Sequence, residues 1–171
     1  TLVRLPEGAW CFSTAIDERW PAISKLPAYY TRHITFGCFN NNTKISPQAI
    51  ALWSTILKTL PGSRLTLKSI LLGDIGVEQR YRAAFEAHGI DPEHLKIMGP
   101  TVDAYSHLAF YDQVDIALDT FPYNGTTTTC DALWMGVPVI TLAGNSHASR
   151  VGTSLMNNLN LQELIAESEE E

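Results

Sequence analysis

The sequence predicts a doubly wound, parallel α/β sheet, and three observations carry that prediction. From Ile34 onward, short apolar runs alternate five times with segments whose apolar residues recur at helical spacing. Runs such as "DIALD" and "PVITL" are short and mostly apolar, as expected when helices cover both faces of a sheet. Serial βα units of this kind close with parallel strands and right-handed crossovers.

The elements follow in order. The first 32 residues are irregular, with "LVRLP" and "WCF" as candidate extended pieces and Pro6, Pro21 and Pro27 interrupting any helix. Residues 1–32 read as a connector and residues 33–171 as the α/β lobe. "ITFGCF" is the first strand; Ser46 then supplies an N-cap and Pro47 a first-turn proline for the helix "PQAIALWSTILKTL". "SRLTLKS" pairs with a helix around "VEQRYRAAFEAHG", whose glycine suits a helix C-terminus. "LKIMG" leads to "DAYSHLAFYDQV", "DIALD" to "TTTCDALWMG", and "PVITL" to "SRVGTSLMNNL". The terminal "AESEEE" is an acidic run in which a helix is expected to continue. The absence of an initiator methionine and that acidic end read as cuts, so missing parts are expected to hold some of the chemistry. The architecture is Rossmann-like, and in such sheets ligands sit beyond the carboxyl ends of the strands.

Composition narrows the function. A chain of 171 residues with 45% apolar content is one ordinary domain with no membrane span, read as a cytoplasmic protein. A net charge of -6 argues against nucleic acid as partner. Cys11, Cys38 and Cys130 are widely spaced and read as reduced, mostly buried thiols. His33, His88, His94 and His147 show no metal-ligand spacing, and there is no D-x-D triplet, so neither a metal nor another cofactor is expected.

The densest signal is "TFPYNGTTTTCDALWMGVPV". Four threonines after Gly125 begin a helix, whose first N–H groups lack internal partners and carry the positive end of the helix dipole. Gly125 lets the backbone approach a ligand, and Thr126, Thr127 and Thr128 add hydroxyl donors at a terminus suited to phosphate. Asp131, one turn beyond Thr127, is placed to accept hydrogen bonds from ribose hydroxyls. From spacing alone two readings stay open: a nucleotide diphosphate site, or a plain capped helix start. Lys44 lies beyond the first strand, as a charge-neutralising ammonium or a surface lysine. Asn41 and its neighbours are turn formers or ligand contacts, and His107 is a helix residue with no chemistry evident from its setting.

The blocks "FGCFNNNTKISPQAIALWSTILKTLPGSRLTLK", "HGIDPEHLKIMGP", "DIALDTFPYNGTTTTCDALWMGVPVITLAG" and "HASRVGTSL" resemble the C-terminal catalytic lobe of the protein O-linked N-acetylglucosamine transferases. The resemblance extends to SPINDLY-type O-fucosyltransferases and to bacterial homologues with tetratricopeptide repeats, all of glycosyltransferase family 41. It implies a GT-B enzyme whose two Rossmann-like lobes close on a nucleotide sugar without a metal. By position, Lys44 matches the lysine that neutralises the donor diphosphate. Asn41 falls where the animal enzyme has a glutamine near the phosphates, and His107 matches a histidine that packs on the base. Thr127 and Thr128 match the phosphate-binding threonines, and Asp131 the ribose-binding carboxylate. Thr126 replaces a histidine of the animal enzymes, and Phe110 replaces an arginine.

The resemblance thus implies the donor-binding lobe of an inverting enzyme that moves N-acetylglucosamine from UDP-GlcNAc to Ser or Thr hydroxyls of acceptor proteins. GDP-fucose is the second donor. The N-terminal catalytic lobe and a tetratricopeptide domain are its expected partners within a longer protein, and this chain alone is expected to be inactive. Alternatives are a sugar-nucleotide epimerase, for which no carboxylate pair is placed at the strand ends, and a non-catalytic scaffold module.

Overall fold

The computed structural model describes residues 8–13 and 20–171. Its elements in chain order are α1 (Ala28–Thr31), β1 (Thr35–Cys38), α2 (Pro47–Thr59), β2 (Arg64–Lys68), α3 (Ile75–Ala87), β3 (Leu95–Met98) and α4 (Ala104–Ala109). They continue with β4 (Ile116–Leu118), α5 (Thr127–Trp134), β5 (Val139–Leu142), α6 (Val151–Asn158) and β6 (Ile165–Ala166). The strands lie in the order β3-β2-β1-β4-β5-β6, and every neighbouring pair is parallel. The doubly wound sheet is therefore as expected, with the strand order reversing between β1 and β4.

The helices begin where polar caps place them. Ser46 Oγ accepts from the Ala49 amide at 3.1 Å, Asp74 Oδ1 from Gly76 and Val77, and Asp103 Oδ1 from Ser106 at 2.7 Å. Strand residues alternate between two cores. Phe36, Cys38, Leu65 and Leu67 pack with Trp53 of α2 and Phe85 of α3. On the opposite face Ala117 and Val139 pack with Ala132 of α5, Met135 at its C-cap and Met156 of α6. A side chain on Gly37 would come within 2.7 Å of Val114, so the turn after α4 rests directly on β1.

Three local expectations need correction. The acidic tail does not continue as a helix; a turn over Gln162–Leu164 leads into β6, which pairs with β5 through Thr141 and Ile165. A free sheet edge captures two apolar residues, while the glutamates that follow repel one another in any helix. The connector is also not wholly irregular, because α1 forms behind Pro27, which sits at the N-cap where a missing N–H costs nothing. Of the cysteines, Cys38 is buried but Cys11 is exposed. "LVRLP" lies outside the described residues, and "WCF" forms no strand; there Trp10 meets His147 with ring centroids 5.9 Å apart. Among the described residues no helix is long and apolar enough to cross a membrane.

The start of β4 is tied down by Asp115. Its Oδ1 accepts from the Ala28 amide at 2.7 Å and its Oδ2 from the Thr35 amide at 2.8 Å, joining α1 and β1 to β4. Replacing Asp115 with Ala strands two donors, one fully buried, and is expected to cost about 2 to 3 kcal/mol. Urea unfolding measures this, and a loss below about 0.5 kcal/mol would exclude the tie as a stabilising contact.

Candidate functional site

In an open parallel sheet the crevice forms where strand order reverses, here between the exit loops of β1 and β4. The loop after β4 is organised by Asp119, which is only 7% exposed. Its Oδ1 accepts from the amides of Thr120 at 2.8 Å and Gly125 at 2.6 Å, and from Asn40 Nδ2 at 3.3 Å. Its Oδ2 accepts from Thr141 Oγ1 of β5 at 3.0 Å. Burial pushes this carboxyl up to about 6, against four hydrogen bonds that favour the ionised form.

Gly125 follows from that arrangement. An added Cβ would lie 2.5 Å from Asn40 Oδ1, 2.7 Å from Thr129 Oγ1 and 2.9 Å from Thr128 Oγ1. Glycine is needed here for close packing of the loop on β1's exit. The threonines then divide. Thr128 Oγ1 donates to Asn40 Oδ1 and Thr129 is buried, while Thr127 is exposed and Thr126 half-buried at the surface. Thr126 occupies the N-cap of α5, but its side chain caps nothing. The first-turn amides of α5 thus keep their capacity to donate into the crevice, which favours an anion site over a plain helix cap.

Lys44 reaches the same loop from the other side. It ends a turn over Asn42–Lys44, and its Nζ donates to the Asn124 carbonyl at 2.9 Å while lying 4.1 Å from the centre of the Tyr123 ring. Desolvation holds the ammonium below its ordinary range, partly offset by Asp119. Asn124 is fully buried; its Nδ2 donates to the Thr120 carbonyl and its Oδ1 accepts from the Gly152 amide of α6. Lys44, Gly125, Thr126 and Thr127 are thereby brought together.

Beside this crevice lies a cleft of about 420 Å³, walled by Phe39, Asn42, Ser69, Ile70, Pro100 and His107 among others. Asn41 also lines it, but its Oδ1 accepts from the Thr43 amide and hydroxyl, so the side chain serves its own turn. His107 Nε2 stands 3.6 Å from Asp131 Oδ2. Its Nδ1 is met by Nζ of Lys68, the last residue of β2. His107 and Asp131 are therefore together, one turn of α5 beyond the threonines.

Asp119, Asn124 and Lys68 escaped the sequence reading. A lysine inside the strand run "RLTLK" was a usable signal, since a strand paired on both sides rarely hides an ammonium without a reason. Asp119 looked like a strand terminus, and its partners at residues 40, 125 and 141 become visible only in the fold.

Two outcomes follow from the loop. Gly125→Ala forces Asn40 and both threonines apart and is expected to lower stability by about 1 to 3 kcal/mol in urea unfolding; an unchanged midpoint would contradict the packing. The folded chain retains a proton on Asp119 where the unfolded chain has lost it, so this group's contribution to stability declines as pH rises from about 4 to about 6 and is flat above. Carbon-13 NMR of the Asp119 carboxyl should titrate near 6, and a midpoint near 4 would refute the shift.

Comparison with known proteins identifies the family and the fold. Residues 24–171 match Glycosyl transferase family 41. A Petunia hybrida protein named probable UDP-N-acetylglucosamine–peptide N-acetylglucosaminyltransferase SPINDLY is 41% identical over 170 residues, 99% of this chain and 18% of that protein. A Caenorhabditis elegans UDP-N-acetylglucosamine–peptide N-acetylglucosaminyltransferase is 34% identical over 138 residues, 81% of this chain and 12% of its own length. The chain spans less than a fifth of either relative. Among solved structures, a mutant of the Thermobaculum terrenum O-GlcNAc transferase superposes with a TM-score of 0.78 at 42% identity, covering 80% of this chain and 26% of that one. The match across residues 24–171 and the near-complete alignment with the plant relative establish that the chain belongs to glycosyltransferase family 41.

Proposed function

We propose that this chain is the donor-binding lobe of an inverting protein O-glycosyltransferase that moves N-acetylglucosamine from UDP-GlcNAc to Ser or Thr hydroxyls in the cytoplasm. The observation that carries this reading is the meeting of the Lys44 ammonium and the uncapped start of α5 on one loop, with His107 and Asp131 beside them. The names of the plant and nematode relatives supply the sugar and the class of acceptor.

In this mechanism the acceptor oxygen attacks the anomeric carbon as the bond to the nucleotide diphosphate breaks. The hydroxyl proton passes to a base outside this chain, and the diphosphate departs with the bonding electrons. Charge grows on the leaving oxygen, so Lys44 and the amides at Thr127 and Thr128 stabilise the transition state more than the ground state. No metal is required for that step. Asp131 accepts from the ribose hydroxyls, His107 packs on the base, and the hydroxyls of Thr126 and Thr127 border the phosphates. Lys44, desolvated in the free protein, regains its proton affinity when the diphosphate arrives.

GDP-fucose is the second donor reading. It is favoured by Phe110, which packs 5.6 Å from Phe39 where animal family members carry an arginine. The phosphate end serves either donor, and the cleft decides.

Lys44→Ala in the full-length protein is expected to lower kcat for sugar transfer to an acceptor peptide about 100- to 1,000-fold, with an unchanged unfolding midpoint. Turnover within threefold of wild type would remove Lys44 from the mechanism. A scaffold module would instead retain partner binding with no turnover to lose.

A further inference from the structure

Lys68 is unexplained by the phosphate chemistry. It is the last residue of β2 and only 4% exposed, yet it lines the cleft. Leu65 and Leu67 face the core of α2 and α3, so alternation turns Lys68 to the other face, toward α4. Its ammonium lies over aromatic rings, with Nζ 5.1 Å from the centre of Phe39 and 6.0 Å from that of Phe110. Among the described residues no carboxylate pairs with it, and its hydrogen-bond partner is His107 Nδ1. An ammonium carries three donors. One goes to His107, which fixes that ring with its proton on Nε2, toward Asp131.

A cation so enclosed, with one neutral acceptor, is costly to keep. Desolvation lowers Lys68 to about 8, with Asp131 the only opposing influence. An apolar, partly aromatic cleft with one convergent charged donor is the pattern of a small-molecule site that fixes orientation through that donor. The cleft adjoins the ribose-binding candidate Asp131 and opens beside the ring of His107, so the part of a nucleotide that reaches Lys68 is the edge of the base.

We propose that Lys68 is the base-recognition residue of this site, donating to a ring carbonyl oxygen and so selecting oxo bases, uracil or guanine, over amino bases, cytosine or adenine. This rests on the donor-lobe reading. Uracil and guanine present an acceptor oxygen where cytosine and adenine present an amino donor. Lys68, with donors only, rewards the first pair and repels the second.

Calorimetric titration of the full-length protein with UDP, GDP, CDP and ADP tests this. Wild type is expected to bind UDP or GDP about 10- to 100-fold more tightly than its amino counterpart, CDP or ADP. Lys68→Met should weaken the oxo nucleotide by a similar factor and leave CDP and ADP within threefold. Lys68→Arg, which keeps a donor-only cation, should retain the preference. Equal wild-type affinity for UDP and CDP, and for GDP and ADP, overturns the proposal whatever the variants do, as does a folded Lys68→Met that keeps wild-type preference. A protein that binds none of the four overturns the donor-lobe reading and this inference with it. If Asp131→Ala abolishes binding while all four nucleotides bind wild type alike, the donor reading stands and the role of Lys68 falls.

Discussion

The carboxyl edge of a parallel sheet has no hydrogen-bond ladder to hold its exit loops, and here the buried carboxylate of Asp119 holds them. Four donors from residues 40, 120, 125 and 141 converge on it. The exits of β1 and β4 and the side of β5 are thereby fixed to one group. The first turn of α5, the position of Gly125 and the carbonyl that receives Lys44 all follow. A hydrogen-bonded ion of this kind costs desolvation, and the sheet accepts that cost where backbone geometry matters most.

The short strand β4 is bracketed by two such groups. Asp115 gathers the amides of Ala28 and Thr35 at its start, and Asp119 gathers the loop amides at its end. Between them only Ile116–Leu118 form the strand. Central position explains the economy: β4 pairs with both β1 and β5, so anchoring its two ends fixes the register of the sheet's middle.

Much of this was legible from local chemistry. Ser46 with Pro47, the glycine after "FEAH" and the apolar runs each announce an element through a mechanism that acts within a few residues. The threonine run and Asp131 drew notice because a helix start beyond a strand suits an anion, whereas Lys44 was ambiguous by position and His107 entered only through the family resemblance. What stayed hidden depends on distant partners. β6 exists because β5 has a free edge, and α1 persists because Asp115, 87 residues away, accepts from Ala28. Asp119 reads as an ordinary strand terminus until Asn40 and Thr141 are placed beside it. Gly125 was legible as important, but only as room for a ligand; the fold adds a second reason, crowding by the protein's own side chains.

The two ends of the site are built with unequal stiffness. The end at Lys44 and Gly125 is set by buried hydrogen bonds drawn from several elements, whereas the cleft wall includes Ile70 and Leu71, aliphatic turn residues that are 76% and 52% exposed. Substitution in the wall leaves the crowded loop untouched, while substitution in the loop disturbs both. The wall is therefore free to drift in sequence at little cost to the fold, whereas the crowded loop tolerates few replacements and is the part that divergence leaves unchanged.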